Sequence, residues 1–597
     1  MRSRLRLGLR SALSIALAVG VLMTTVAVVV GSGTATAGGP PACEPGADPV
    51  ELSGEVEANE AKSYLVLPVE VVEGTTRIEV GYAWESLPAD DEGAGESVFD
   101  LGLWDADGYR APDGFRGWSG SRQGKVGEGQ DPVFVQADDA ERGYLPGRIE
   151  PGTWHVELGV AAVAPSGAAW EVTVRCLGGE TGEPVEPDPV DPGHVADAEA
   201  GWYHGDFHMH GYHSNREAPS WDEFVEFARD AGLDFLPVTE YVTSQHWYEL
   251  GATQRDNPDL LVWPGREIIT YFGHATALGE TPDTVEYRHG FEDVSMADIQ
   301  AGTVEAGALF GVAHPTIFPE ETFGSACRGC EFNLGDVIDW DQVDYLEVVT
   351  EAVLVGSDLE AVGPGEGGFA NPFVATAIDL WEERLLAGHR ITAVSGSDDK
   401  LGPELGSSAT AVYAEELSRP ALTDAVRAGH AYVRTRGVDD SPQLELEATT
   451  SDGQQGIFGD TLVAAEAEIT VTVTGGDGQV LRVVRNAAEV DAVPVAGDPF
   501  THTFTADRGP DEGPLGTFWR VETDDGESLT TIGNPIFLAD RPAPEPNRPP
   551  PAGLTAETAS GASEGGDVSP PWAVIAVLAA IGVGVAAGVA ATVRRRR

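Results

Sequence analysis

The chain has 597 residues, of which 97 are acidic and 36 are Lys or Arg, for a formal net charge of −61. A surface this acidic repels nucleic-acid backbones and anionic lipid, which excludes a nucleic-acid binder and a basic membrane-docking face. At 42% hydrophobic residues the chain has enough apolar material for packed cores, and its length predicts three or four domains.

Residues 1–37 read as a signal peptide. Arg2, Arg4, Arg6 and Arg10 precede an apolar run from Ala12 to Val30, and Ala35-Thr36-Ala37 has the small-residue pattern of a cleavage site. The bulk of the chain is therefore expected outside the cell, where cysteines pair by default. Residues 43–177 hold alternating runs such as SYLVLPVEV, TRIEVGYAW and AAWEVTVRC between Gly, Pro and Asp turns, the pattern of an N-terminal β-sandwich. Cys43 and Cys176 stand at its two edges and are expected to form a disulfide. Trp104, Trp118, Trp154 and Trp170 are either its core or a platform for a cell-wall glycan.

Residues 178–200 are a Pro- and acid-rich linker. Residues 201–438 alternate apolar strands with helical patterns that end at Gly, which implies a parallel sheet or barrel. Residues 441–538 return to strands and predict an Ig-like β-sandwich. A Pro/Gly/Ser-rich spacer covers 540–571. From Trp572 to Val593 the chain is apolar and uncharged over the length of a transmembrane helix, and the Arg tail at 594–597 is expected in the cytoplasm. The expected architecture is multidomain: a central α/β barrel flanked by two β-sandwich domains and held at the cell membrane by one helix.

Histidines carry the chemical signal. Of the 13, nine fall between His194 and His314, several where strands should end. His208 and His210 in DFHMH are two apart, so on a strand they share a face and can ligate one metal. Glu267 in WPGREIIT, His274 in FGHATALG, His314 in GVAHP and Asp398 in SGSDD follow. A charged or imidazole group at the end of a buried strand is costly unless paired. One such position is usually a structural hydrogen bond; six in one domain point to metal.

The ordered set DFHMH, GLDFLPVTE, PGREIIT-x3-GHATALG, GVAHP, YLEVVT, SGSDD and ALTDAVRAGHAYVRT resembles the PHP (polymerase and histidinol phosphatase) superfamily of metallohydrolases, most closely its carbaryl-hydrolase-like (CehA/McbA-type) branch. The resemblance covers roughly 201–438 and implies a distorted seven-fold β/α barrel. The front sandwich resembles the β-rich module that often precedes such domains. Carried over by position, His208, His210, Glu267 and Asp398 look like a first metal site. Glu267, His274 and His314 look like a second, with Glu267 bridging. The family's third site lacks its ligands: Tyr241 follows Glu240 where a His follows Asp, Lys400 stands where another His belongs, and His213 is no clear substitute. The resemblance thus implies a dinuclear centre of Zn, Mn or Fe.

It also implies metal-assisted hydrolysis of a phosphoester or of a carboxylic or carbamic ester, small-molecule or oligomeric, with Glu267, Asp398, Lys400 and Tyr241 at the chemistry. Lys400 and Tyr241 either bind an anionic substrate group or fill the space of a degenerate site. Glu240 is a carboxylate that orients a histidine or is simply solvated, and Asp206 has the same reading. His246, His289 and Asp399 either touch substrate or, as the main expectation, lie at the surface. Cys327 and Cys330 form a lone C-x-x-C without further zinc-type ligands, read as a local disulfide shaping a rim loop. The alternative, from another class, is a surface binding or adhesion protein whose barrel no longer turns over. A polymerase-associated exonuclease is excluded by the leader, the anchor and the acidity.

Overall fold

Strand Ala168–Leu177 shows how the front of the chain folds: every second side chain, from Ala168 through Trp170, Val172 and Val174 to Cys176, is buried. That period of two is the mark of a sheet with one packed face. The computed structural model describes residues 39–87, 96–121, 131–279, 286–323, 328–350, 354–355, 369–510 and 513–543. The leader, most of the 540–571 spacer, the 572–593 segment, the Arg tail and Cys327 lie outside the described residues. Among the described residues no helix is long and apolar enough to cross a membrane.

Residues 42–177 form two sheets. One runs, in spatial order, Ala42–Cys43, Ser63–Val71, Gly152–Ala162, Val98–Trp104 and Phe115–Trp118. The other runs Val50–Val56, Ala168–Leu177, Arg77–Ser86 and Val133–Gln136. A single apolar cluster drawn from both, including Val69, Val80, Phe99, Leu101, Val156 and Val172, lies between them. The Cys43–Cys176 disulfide joins one sheet to the other with Cα atoms 5.6 Å apart. Closing a loop of 133 residues stabilises by roughly 4–5 kcal/mol in the chain-entropy picture. Trp104, Trp154, Trp118 and Trp170 are all at most 9% exposed, so they serve the core and present no open glycan platform.

Strand Val98–Trp104 breaks the alternation; it is buried on both faces. Its outer face lies against the central domain. Glu157 accepts hydrogen bonds from Trp104 Nε1 (2.8 Å), Tyr287 OH (2.7 Å) and Arg288 Nη1 (2.9 Å), with both charged side chains fully buried. Tyr271 donates to Asp100 at 2.8 Å. The front sandwich is thus docked on the central domain through a satisfied polar cluster.

The strands of the central sheet are β1 Gly201–Gly205, β2 Phe235–Tyr241, β3 Leu261–Thr270, β4 Gly273–Leu278, β5 Leu309–Val312, β6 Tyr345–Thr350 and β7 Thr392–Gly396. They are hydrogen-bonded in that order. The segment after β1 then meets the segment after β7: Phe207 N donates to Ser395 O (3.0 Å), Asp398 N to His208 O (2.8 Å) and His210 N to Asp399 O (2.8 Å). The seven strands therefore close into a ring. It is not wholly parallel, as the alternation implied. β3 and β4 form an antiparallel hairpin through Tyr271–Phe272, and β4 also runs antiparallel to β5. That turn lacks the Asn-Gly or Asp-Gly signature of a tight hairpin. Phe207, Phe235, Trp263 and Tyr345 pack with ring centroids 5.3–6.2 Å apart and plug the ring.

The expected helices form at Trp221–Asp230, Pro372–Ala387 and Arg419–Ala428. Ser220 and Glu223 build a capping box on the first, and Gly388 and Gly429 end the other two in left-handed conformation. Beyond the ring, Ala409–Ala414 pairs with β1 and with Ala431–Arg434, which pairs in turn with Leu529–Gly533. One sheet thus passes from the ring into the C-terminal strands. A separate sheet of Gln455–Gly456, Gln443–Thr450, Glu466–Thr474 and Phe500–Asp507 covers it around Leu446, Ile469, Val471 and Trp519.

Candidate metal centre

The strand that continues from β1 places His208 and His210 on one face. Met209 between them packs on the opposite side with Phe224 and Val225 of the first helix. Glu267 is on β3, four residues beyond the plug residue Trp263 and on the same face. His274, second in β4, stands directly opposite Ile269, so the antiparallel hairpin returns it to the same rim. His314 and Asp398 follow β5 and β7 with left-handed backbone, φ 28° and 52°. Non-glycine residues adopt that conformation at a cost, and it concentrates at functional sites.

These side chains converge in two groups, His208, His210, Glu267 and Asp398, and Glu267, His274 and His314, each with its potential ligand atoms within 4.8 Å of one another. Glu267 divides its carboxylate between them. Its Oε2 lies 3.4 Å from His208 Nε2 and 3.3 Å from His210 Nε2; its Oε1 lies 2.9 Å from His274 Nδ1 and 3.1 Å from His314 Nε2. Asp398 Oδ1 is 2.9 Å from His210 Nε2.

The far nitrogen of three imidazoles is tied down. His208 Nδ1 meets Glu347 Oε1 at 2.9 Å, His314 Nδ1 meets the Cys330 carbonyl at 3.0 Å and His274 Nε2 meets the Arg328 carbonyl at 3.1 Å. Each acceptor fixes a tautomer that leaves the nitrogen facing Glu267 with a lone pair. His208 Nε2 and His210 Nε2 are buried and, among the described residues, face only carboxylate oxygens of Glu267 and Asp398, at 2.9–3.4 Å, in geometry too poor for a good hydrogen bond. A buried unpaired polar atom is expensive, whereas a lone pair offered to a cation is satisfied. Imidazole and carboxylate without thiolate suit Zn, Mn or Fe, so the donors present fit a pair of divalent cations.

Electrostatics agree. Burial resists ionisation of Glu267, yet His208 and His274 beside it hold its carboxyl well below the usual range. Burial likewise resists at Asp398, and Lys400 with His208 and His210 overrides it. Burial disfavours a charged His208, but Glu347, Glu267 and Asp398 push its pKa well above the ordinary value. The site is a buried nest of negative charge that recruits positive charge.

Lys400 and Tyr241 stand at its open side. The side chains of Asp398 and Lys400 are 23% and 32% exposed, against 0% for His208 and 2% for Glu267. Lys400 Nζ donates to Asp398 Oδ1 at 2.7 Å and lies 5.8 Å from the Tyr241 ring centroid. That ring stands 4.1 Å, centroid to centroid, from His210.

Other expected roles change. Asp206 orients no imidazole. Its Oδ1 accepts from His208 N (3.1 Å) and Ser397 N (2.9 Å) and its Oδ2 from Gly406 N (3.0 Å), so it clamps the backbones that carry His208 and Asp398. Glu240 accepts from the backbone N–H groups of His213 and Ser214 and fixes that turn; it is buried, and it touches none of the cluster's rings. His213 bonds Gln245 and stays outside the cluster. His246 and Asp399 are buried, not at the surface, and His289 accepts from Met296 N. Glu347, which also accepts from His314 N at 3.0 Å, touches two of the cluster's histidines and was not singled out from the sequence. Its signal was a lone acid inside the apolar strand YLEVVT.

No protein-family model matches the chain, and no curated protein matches it. Among solved structures it is similar to a two-domain protein of Bacteroides vulgatus containing a predicted PHP-like metal-dependent phosphoesterase, at 14% identity and TM-score 0.31 over 60% of this chain and all of that one. It is similar to the lesion-specific endonuclease EndoQ of Pyrococcus furiosus at 14% identity and TM-score 0.24, over 43% of this chain and 64% of that one. It also matches a GH30 endoxylanase of Clostridium papyrosolvens at 11% identity and TM-score 0.17, over 58% of this chain and 99% of that one. At such TM-scores none of these likenesses fixes the chemistry of this chain, which rests on the seven-strand ring and the two-lobed His, Glu and Asp cluster at its rim.

Proposed function

We propose that the chain is a PHP-type metal-dependent hydrolase acting on an ester bond and anchored at the outer cell surface. The observation that carries this is Glu267, whose two carboxylate oxygens each face a separate set of buried imidazoles. Two divalent cations held by His208, His210, Glu267 and Asp398, and by Glu267, His274 and His314, would supply an acidified water and charge stabilisation for an ester carbonyl or phosphoryl group.

The chain's own residues do the rest. Glu347 and the Arg328 and Cys330 carbonyls hold three imidazoles in register. The plug of Phe207, Phe235, Trp263 and Tyr345 keeps water from the floor. Lys400 and Tyr241, at the open side, offer an ammonium and a phenol to an anionic substrate group. Missing third-site ligands argue against phosphomonoesters, and Lys400 argues partly for them. Surface anchoring rests on the leader and on the 572–593 segment.

The test is hydrolysis of p-nitrophenyl phosphate, bis-p-nitrophenyl phosphate, p-nitrophenyl acetate and a naphthyl carbamate. Asp398→Ala and His208→Ala should abolish turnover. Lys400→Met should raise KM for the anionic esters only. Full activity in Asp398→Ala would overturn the site assignment.

One observation favours the alternative, a non-catalytic surface binding protein: Lys400 Nζ sits 2.7 Å from Asp398 Oδ1, where an ammonium neutralises a ligand oxygen. In that case the purified protein holds no metal, and Glu267→Ala leaves ligand binding unchanged.

A further inference from the structure

The tripeptide Arg328-Gly329-Cys330 does something for the cluster that no motif assigns. Two of its three carbonyls end on the second histidine pair: Arg328 O on His274 Nε2 and Cys330 O on His314 Nδ1. A third member of that group, Glu267, faces the opposite nitrogen of each ring. Both imidazoles are therefore gripped between Glu267 and one short turn.

Gly329 in the middle has φ +83°. A Cβ there would fall 2.2 Å from Thr270 O and 3.1 Å from His274 Nε2. Only glycine permits the turn to approach the ligand this closely. Cys330 is disulfide-bonded. A cleft of about 230 Å³ lies beside the turn, lined by Lys62, Tyr271, Arg328, Gly329 and Cys330 among others.

We infer that the turn Arg328–Cys330 is a clip that positions His274 and His314 and so sets the affinity of the second cation site. The first site uses none of its atoms, because His208 is oriented by Glu347. The inference rests on the dinuclear reading above. Loss of an orienting carbonyl typically costs 10–100-fold in metal affinity, and here the loss should fall on one of two equivalents.

The experiment is elemental analysis of the full-length protein after equilibration with Zn and dialysis, on wild type, Cys330→Ser and Gly329→Ala. Cobalt absorption spectra and thermal unfolding are recorded alongside. The expected result is two equivalents in wild type and close to one in each variant, with a second-equivalent Kd raised roughly 10–100-fold and an unchanged first-site cobalt spectrum. Gly329→Ala leaves the disulfide in place and carries the test if Cys330→Ser does not fold. Two tightly held equivalents in both variants would overturn the clip. No metal in wild type would instead overturn the dinuclear reading.

Discussion

Glu347 shows how far a single side chain reaches in this site. Its Oε1 meets His208 Nδ1 at 2.9 Å and its Oε2 accepts from His314 N at 3.0 Å, so one carboxylate steadies a histidine of each candidate metal group. Glu347→Gln keeps the volume but weakens the charge-assisted bond. Metal titration should show affinity falling about 10–100-fold at the first site, with the fold intact. The H-x-H pair was legible because a period of two puts His208 and His210 on one face whatever the tertiary context. Glu347 was harder to assign, because a lone acid inside an apolar strand signals only that it needs a partner, and that partner lies 139 residues away in sequence. Glu240 and Asp206 read as carboxylates that orient a histidine or are simply solvated. Their carboxylates instead bind backbone N–H groups, a choice that spacing does not reveal.

Elements carry the site by close approach. β7 ends at Gly396, where a Cβ would meet His208 Cβ at 2.4 Å. The strand closing the ring can therefore touch the strand bearing the histidines only without a side chain. Gly396→Ala should displace His208, reduce metal content at the first site and lower the unfolding midpoint. Unchanged metal content in a folded variant would show that the ring yields at no cost to the site. Most of the ring strands and three of the four longest described helices were legible from apolar patterning and caps, while the helix Met296–Glu305 was not. The β3–β4 reversal was not, since Tyr271–Phe272 carries no turn chemistry, and it is that reversal which brings His274 beside Glu267.

At the scale of the molecule, the front sandwich packs against the segments that flank the cluster. Arg142 donates to the carbonyls of His213 (2.9 Å) and Ser214 (2.7 Å), and Trp118 stands 6.5 Å from the Tyr241 ring. Alternation in its strands reads as one wet face, but VFDLGLW has no polar period, which is the trace of a strand covered on both sides. The seam also sets a pH dependence. Burial, opposed by the Tyr271 hydrogen bond and Arg328, raises Asp100 to about 6 from 3.8. A carboxyl with a raised folded pKa stabilises the fold while protonated and loses that contribution as pH climbs from about 4 to about 6. The loss is at most about 3 kcal/mol. Thermal unfolding of wild type should weaken across that window, and Asp100→Asn should flatten the change. An identical profile in the variant would assign it elsewhere.

The dinuclear cluster is the central claim, and its most direct test is the number of metal ions per chain in purified, catalytically assayed protein. Two equivalents of Zn, Mn or Fe, with Glu267→Ala retaining fewer than either His208→Ala or His274→Ala, would match a carboxylate shared between two buried histidine sets. No bound metal after incubation with Zn or Mn, together with no hydrolysis of any ester offered, would contradict it.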